Sequence, residues 1–253
     1  MNLELSRREL LAAMSLGLAA PRLFGAAATG PLCLSMVYMN GKDVKFNSER
    51  YREVHLPLLK RALGDSIERI ELRTAPRPQR DSPMPPSPIV ADISIWIRDL
   101  PAFGAATQRN VTEINADLAK VTTNAPVLQY DQVISEWGKA RGEVGMGVDS
   151  QALYYPNSEE AKWDADYYVN KYLPKMVEAY GGDNVIRRIE VRRGVGAQGG
   201  GKPAMINSVH IYANNNSTFG MAGMRAGKQL MTDAKPITTL LPYIALMRVQ
   251  AVG

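Results

Sequence analysis

Arg69-Ile70-Glu71-Leu72-Arg73 occurs again 119 residues later (188 − 69) as Arg188-Ile189-Glu190-Val191-Arg192. In both places charged and apolar residues alternate with a period of two, which is the pattern of a β-strand whose two faces have different surroundings. The same strand at two distant positions indicates that a larger structural unit is present twice. The two pentapeptides therefore align the first part of the chain with the second.

The similarity extends on both sides of these strands, over residues 32–135 and 149–251. Order, spacing and side-chain chemistry agree along the whole unit. Each copy is too small to bury both faces of its own sheet, so we expect the two copies to pack on each other. The matched residues are Tyr38 and Asn40 with Tyr155 and Asn157, Phe46 with Trp163, Tyr51 with Tyr168, Leu56-Pro57 with Leu173-Pro174, Phe103-Gly104 with Phe219-Gly220, Thr122-Thr123 with Thr238-Thr239, and Pro126 with Pro242.

The first copy contains signals for four strands and two helices in the order β-α-β-β-α-β. This is the ferredoxin-like arrangement, in which helices cover one face of a four-stranded antiparallel sheet and the other face needs cover. We therefore predict an α+β fold of two ferredoxin-like βαββαβ repeats, packed sheet to sheet. The predicted elements are strands Leu32–Met39, Ser66–Thr74, Val90–Ile97 and Val127–Ile134, and helices from Ser48 to Leu63 and from Pro101 to Ala119, with an irregular proline-rich loop from Ala75 to Pro88.

The repeat divides the chain into four segments. Residues 1–28 precede it, residues 30–137 form the first unit, residues 138–147 form a linker, and residues 148–253 form the second unit. The stretch from Trp137 to Val148 holds four glycines and several charged residues, a composition typical of a flexible crossing. We expect one chain to supply both halves of the structure. The sequence does not determine whether several such chains form a higher oligomer.

The N-terminal segment has the features of an export signal. Ser6-Arg7-Arg8-Glu9-Leu10-Leu11 is followed by an apolar run from Leu10 to Ala20 and by the small residues Gly25-Ala26-Ala27-Ala28. The apolar run is too short to span a bilayer, and Pro21 ends it. The paired arginines resemble the twin-arginine motif. We therefore expect use of the twin-arginine export machinery, cleavage near Ala28, and a periplasmic or secreted product with no membrane anchor.

Composition narrows the classes of function. The formal net charge of +5 is spread along the chain, which gives no support for nucleic-acid binding. Cys33 is the single cysteine, and His55 and His210 are the two histidines. These numbers rule out an internal disulfide, a cysteine-cluster metal site and a three-histidine zinc centre. We therefore expect neither a metal nor a bound cofactor.

One motif in the first helix carries a family resemblance. Tyr51-Arg52-Glu53-Val54-His55-Leu56-Pro57 resembles the Tyr-x-x-x-His-x-Pro signature of the EthD family, a branch of the dimeric α/β-barrel superfamily. The second copy has Tyr172 in place of the histidine. The resemblance implies two ferredoxin-like units closing into one barrel, and a small-molecule protein related to ether-degradation accessory proteins and polyketide-processing dehydratases.

The candidate site residues are aromatic side chains and the two histidines. Tyr51 and His55 share a face of the first helix, where His55 could transfer a proton and Tyr51 could orient it or hold a substrate oxygen. The alternative is that this face only packs against the core. Alternation along the strand from Asn207 to Tyr212 places His210 and Tyr212 together, and His210 is more readily explained as structural. We predict Tyr51 and His55 as catalytic, and as substrate-binding Tyr38, Trp96, Tyr168, Tyr172, His210 and Tyr212.

Three functions remain open on the sequence. The first is a cofactor-independent enzyme that carries out dehydration, isomerisation or lactone or ether-related chemistry on a small apolar organic molecule, with His55 transferring the proton. The second is a non-catalytic binding or accessory protein, in which His55 only orients a hydrophobic ligand. The third is a haem-binding barrel, since related barrels bind haem through one histidine. No haem-specific spacing is present here.

The export signal makes a direct prediction. Replacing both Arg7 and Arg8 by lysine should leave the precursor in the cytoplasm, because the paired guanidinium groups define the signal. Cell fractionation followed by immunoblotting measures this. A matched variant with lysine at Arg22, outside the motif, should be exported normally. Undiminished export of the double variant would remove the twin-arginine assignment.

Overall fold

A computed structural model describes residues 30–76, 86–197 and 199–253. The predicted signal segment 1–28 and the centre of the proline-rich loop, residues 77–85, lie outside the described residues. The described part repeats the order β-α-β-β-α-β. The strands are β1 (Leu32–Met39), β2 (Ile67–Thr74), β3 (Ile89–Ile97), β4 (Val127–Gly138), β5 (Asp149–Pro156), β6 (Ile186–Ala197), β7 (Met205–Ala213) and β8 (Tyr243–Val252), and the principal helices are α1 (Leu56–Leu63), α2 (Leu100–Val121), α3 (Leu173–Tyr180) and α4 (Asn216–Asp233).

The strands close into a single antiparallel barrel in the order β1-β3-β2-β8-β5-β7-β6-β4. Each copy supplies four consecutive strands, and two seams join the copies. At one seam β2 pairs with β8, and at the other β4 pairs with β6. Closure leaves this barrel of described strands without an exposed sheet edge. The predicted α+β class and the sheet-to-sheet arrangement are confirmed.

Alternation along the strand that occurs twice, as β2 and β6, sorts its side chains between two environments. Ile70 and Leu72 pack against the helices of the first half. Glu71 instead accepts a hydrogen bond from the Tyr212 hydroxyl on β7, across the barrel, at 2.8 Å. In the second copy Ile189 and Val191 face the helices in the same way. The apolar face of each sheet is therefore outside, under helices, and the charged face lines the inside of the barrel.

The first helix of each half contains one wide turn. Tyr51–His55 and Tyr168–Tyr172 are π-helical, and each turn leads directly into α1 or α3. The Leu56 amide donates to the Tyr51 carbonyl, five residues back, and Leu173 does the same toward Tyr168. Proline follows both leucines and cannot donate to a carbonyl four residues back, so a wider turn accommodates it. The helix predicted from Ser48 to Leu63 is thus interrupted by a wide turn that contains Tyr51 and His55, the two predicted catalytic residues.

The linker between the copies, whose glycines suggested a flexible crossing, is anchored to the barrel at two residues. Arg141 and Val144 are buried. The Arg141 guanidinium donates to Glu190 at 3.1 Å and to Glu68 at 3.0 Å, so it joins the linker to both halves. Glycine at 138 is required by its positive φ of 85°. In the described part of the chain, no helix combines the length and the apolar character needed to cross a membrane.

The barrel predicts how the chain behaves when it is cut. Fragments 30–147 and 148–253 should each be unstable alone, because each exposes a charged sheet face and two unpaired edges. Mixed, they should reassemble into a 1:1 complex with the circular dichroism of the intact chain. Analytical ultracentrifugation of each fragment and of the mixture measures this. Two fragments that were stable monomers and did not associate would contradict the two-half barrel.

Candidate functional site

A cavity lies between the helices and the sheet of the first half. Its volume is about 50 Å³, enough for a few water molecules or for one end of a larger ligand. The walls are mostly apolar, with residues from β1, β3 and β4 on one side and from α2 on the other. Four polar residues interrupt these walls, namely Tyr51, His55, Thr107 and Asn115.

His55 lies on the π-helical turn with its ring at the cavity wall, and it is only 1% exposed. Its Nδ1 lies 3.0 Å from Oδ2 of Asp117 on α2. A carboxylate can only accept, so Nδ1 carries the proton and donates it. Nε2 has no hydrogen-bond partner among the described residues. The ring is therefore held as the tautomer whose Nε2 lone pair is free to accept a proton.

Asp117 is fixed from a second side by Arg50. The Arg50 guanidinium forms an ion pair with the other carboxylate oxygen, Oδ1. Burial raises the pKa of Asp117, but the hydrogen bonds from Arg50 and His55 outweigh it, so the pKa lies below its usual value. Asp117 is thus an anion at neutral pH. It can orient His55 and stabilise the imidazolium that would form on proton transfer.

The electrostatic surroundings keep His55 neutral at rest. Burial lowers the pKa of His55 below 6.5, and the nearby Arg50 charge lowers it further. The hydrogen bond and the charge of Asp117 act in the opposite direction without reversing the shift. A neutral imidazole at pH 7 is the protonation state of a general base rather than of a general acid.

Tyr51 supplies an unpaired hydroxyl beside the histidine. The two ring centroids are 5.2 Å apart, as expected for residues on one turn. The Tyr51 hydroxyl is fully buried and has no hydrogen-bond partner within the described residues. Burial holds the pKa of Tyr51 well above 10, so the hydroxyl stays protonated and can donate. Sequence and structure thus agree in bringing Tyr51 and His55 together.

The remaining predicted residues of the first half divide between two places. Tyr38 belongs to the helix-facing layer, 5.1 Å from the Phe46 ring, which in turn packs on Tyr51. It supports the cavity without lining it. Trp96 faces the inside of the barrel, where its Nε1 donates to Glu190 at 3.2 Å. Two guanidinium groups, of Arg141 and Arg192, lie over its ring.

His210 and Tyr212 also lie inside the barrel, away from the helix–sheet cavity. His210 Nε2 is 3.0 Å from the Ser208 hydroxyl, and burial together with the charges of Arg192 and Arg73 holds its pKa well below 6.5. Tyr212 donates to Glu71. These contacts agree with the structural interpretation of His210. The eight predicted residues therefore do not form one site.

The second half repeats the layout of the first with different chemistry. Tyr168 and Tyr172 occupy the positions of Tyr51 and His55, and their rings are 5.0 Å apart. The Tyr172 hydroxyl donates to the Leu230 carbonyl at 3.0 Å, so it is already satisfied. Tyr180 stands where the first half has Leu63. Its ring packs on Phe219 and its hydroxyl donates to Gln151. The second half thus offers neither a histidine nor an unpaired residue at the base position.

Two residues of the site were missed by sequence reasoning. Asp117 and Asn115 lie on α2, within the stretch where Ile114, Leu118 and Val121 form the buried face. A carboxylate in register with an apolar stripe is costly to bury unless it is paired. A charged residue within the apolar stripe at position 117 therefore indicates a paired, buried carboxylate. Its partner could not be inferred, since His55 is 62 residues away in the chain.

The site does not suit a metal or a haem. No group of three or more metal-binding side chains is found in the described residues. The cavity at His55 is far smaller than a haem, and His210 is buried inside the barrel with its Nε2 engaged by Ser208. The residues present therefore do not fit the haem-binding alternative.

Comparisons with known proteins identify the fold. No protein-family model matches, and neither does any curated protein. An anthrone oxidase-like protein covers 90% of this chain and 95% of its own length, with 12% identity and a TM-score of 0.53. A Fusobacterium nucleatum protein provisionally assigned as a monooxygenase covers 89% and 95%, with 10% identity and a TM-score of 0.57. An EthD-like protein from Ralstonia eutropha covers 43% of this chain and 92% of its own, with 19% identity and a TM-score of 0.36. The chain has the fold of the dimeric α/β-barrel proteins.

The two histidines should titrate below the usual range. NMR titration of the imidazole carbons should give pKa values below 6.5 for both, with the lower value for His210 because two buried arginines repel its proton. Asp117→Asn should lower the pKa of His55 further, since the carboxylate charge favours the imidazolium. His55→Phe and His210→Phe assign the signals. A His55 pKa above 6.5 would contradict the neutral base.

Proposed function

We propose that this chain is a cofactor-independent enzyme that moves a proton within a small, largely apolar organic molecule, with His55 as the base. The observation that carries this proposal is the His55–Asp117 pair at an apolar cavity: His55 lines the cavity with its Nε2 unpaired, and Tyr51, whose hydroxyl is also unpaired, lines the same cavity. A base, its orienting carboxylate and a nearby donor are the parts required for abstraction of a proton next to a carbonyl group.

The reaction can be written with the residues of this chain alone. His55 Nε2 takes a proton from a carbon next to a carbonyl group, and the C–H electron pair moves to form an enolate. The Tyr51 hydroxyl donates a hydrogen bond to the enolate oxygen, where negative charge has grown. Asp117 stabilises the imidazolium. Return of the proton to another carbon gives an isomer, and its transfer to a leaving hydroxyl gives water and an alkene. Neither outcome needs an outside oxidant.

The cavity restricts the substrate. Because its volume is about 50 Å³, it accommodates a very small molecule or the reacting end of a larger one. Low polarity around the site strengthens the hydrogen bonds made there and favours substrates without charge. These features support a small neutral carbonyl compound.

The family resemblance and the export signal belong to the same proposal. Tyr51 and His55, the signature residues of the EthD resemblance, both lie at the cavity, which supports membership of that family. A tandem duplication would give one chain both halves of the barrel and leave only the first half with the base. Export by the twin-arginine route would place the activity in the periplasm or outside the cell.

The second candidate is a non-catalytic protein that binds a hydrophobic ligand. The apolar walls and the unpaired hydroxyl of Tyr51 favour it as much as they favour an enzyme, because both functions require a ligand in this cavity. The difference lies in His55, which is needed for turnover but only contributes to affinity in a binding protein.

His55→Phe separates these two functions. The ring keeps its apolar bulk and loses both nitrogens, whereas alanine would leave a cavity at a cost of about 2–4 kcal/mol. We expect a near-normal melting temperature, retained binding, and loss of proton transfer by a factor of ~10²–10⁴. Exchange of the α-protons of small ketones in D₂O, followed by NMR, measures the transfer. In the wild-type enzyme the rate should already exceed half of its plateau value at pH 6.5, because the pKa of His55 lies below that value.

Matched variants complete this test. Tyr51→Phe should give a smaller loss, and His210→Phe, which alters the other histidine inside the barrel, should have less effect on exchange. Full activity of His55→Phe would place the base elsewhere. Binding of ketones without any exchange by the wild-type protein would favour the binding protein. Unfolding of His55→Phe would make the histidine structural.

A further inference from the structure

Asn115 is a polar residue in the cavity wall that the reaction above does not use. It lies on α2, is 8% exposed, and lines the cavity together with His55 and Tyr51. Its side-chain oxygen Oδ1 is buried and has no hydrogen-bond partner in the described part of the chain. A buried amide oxygen without a partner loses its interaction with water and gains nothing in return. Asn115 therefore opposes folding in the absence of a ligand.

Two comparisons within the chain distinguish Asn115 from residues in similar positions. Asn110 lies on the same helix, and its Nδ2 donates to the Ala62 and Ala106 carbonyls at 3.2 and 2.9 Å. That asparagine is satisfied by the protein itself. In the second half, position 231 corresponds to 115 (231 − 115 = 116) and holds methionine, 60% exposed. At this helix position, the unpaired amide is thus present only in the half that carries His55.

We infer that Asn115 hydrogen-bonds a hydroxyl group of the substrate, which makes the substrate class a small hydroxycarbonyl compound. This inference rests on the proposed function, since it places the hydroxyl next to the reacting carbon. A hydroxyl group both donates and accepts, so it satisfies the amide in either orientation of its oxygen and nitrogen. The otherwise apolar walls leave few alternative partners for a polar substituent.

The three polar groups then have separate tasks. Tyr51 binds the carbonyl oxygen, His55 takes the proton from the carbon, and Asn115 binds the hydroxyl. Asn115 and Asp117 are two residues apart on α2, so one helix carries both the residue that orients the base and the residue that recognises the substrate. Asn115 is in this sense a specificity residue rather than a catalytic one.

The probes are hydroxyacetone and butanone, which are of nearly equal size and differ by a hydroxyl in place of a methyl group. Dissociation constants are measured by ligand-observed NMR, and α-proton exchange in D₂O is measured in the same samples. The proteins are the mature wild-type chain, Asn115→Leu, the control Asn110→Leu, and His55→Phe. Each ratio of hydroxyacetone to butanone is compared between proteins, so that the intrinsic acidities of the two ketones cancel.

Wild-type protein should bind hydroxyacetone more tightly than butanone, and Asn115→Leu should lower this preference by on the order of tenfold or more, because a site built for a hydroxyl discriminates strongly against its absence. Asn115→Leu should also keep or raise the melting temperature, since it removes an unpaired buried amide. Asn110→Leu should lower the melting temperature and keep the preference.

Failure of this inference can be distinguished from failure of the proposed function. An unchanged preference in Asn115→Leu, or no binding of either ketone to the wild-type protein, would overturn the role of Asn115. A lower melting temperature of Asn115→Leu with the preference intact would make this asparagine structural. Undiminished exchange in His55→Phe would overturn the proposed function, while the ratio of dissociation constants would still decide the role of Asn115.

Discussion

The buried ion cluster around Glu190 ties the barrel together. Glu190 accepts hydrogen bonds from Arg192 on its own strand at 2.6 Å, from Arg188 at 3.1 Å and from linker residue Arg141 at 3.1 Å, and a fourth from Trp96 of the other half. Burial would raise the pKa of Glu190, but the three arginines hold it far below its usual value. Removing Glu190 would leave the fully buried Arg192 guanidinium without its carboxylate partner. Only a closed barrel with a packed linker satisfies all of these groups together.

Closure of the barrel determines where a ligand can bind. Because the charged faces of both sheets point inward and form buried ion pairs, the apolar faces are left for the helices, and the cavity forms in that outer layer. The two halves share this geometry and differ in a few side chains. Leu63 leaves space where Tyr180 fills it, and His55 stands where Tyr172 is bound to a carbonyl. The two halves thus share nearly the same fold but have different side chains between their helices and their sheet.

The fold could be predicted from the sequence because its signals are local and occur twice. Alternation in the strand that occurs twice marks two faces, and the strand bounds agree within a few residues except for β4, which continues to Gly138. Alternation does not say which face lies inside a closed barrel, so Trp96, His210 and Tyr212 were grouped with helix-layer residues. The wide turn before Pro57 follows from the missing backbone amide of proline, which the helical spacing of apolar residues does not reveal. Asp117 could not be paired with His55, since that contact depends on how α2 crosses the first helix.

The two histidines differ more in whether they line a cavity than in the groups they contact. His210 has a hydroxyl at Nε2, from Ser208, and a carboxylate 3.9 Å from Nδ1, from Asp92. That order of groups resembles a nucleophile, a base and an orienting acid. All three side chains lie inside the barrel, however, and none of them lines the helix–sheet cavity. His55 lines that cavity with one carboxylate partner and an unpaired Nε2, and it shares the cavity wall with Tyr51 and Asn115, whose hydroxyl and amide oxygen have no partner among the described residues. Unpaired groups cost stability, so a cavity that holds two of them next to a poised base is better explained by a ligand than by imperfect packing.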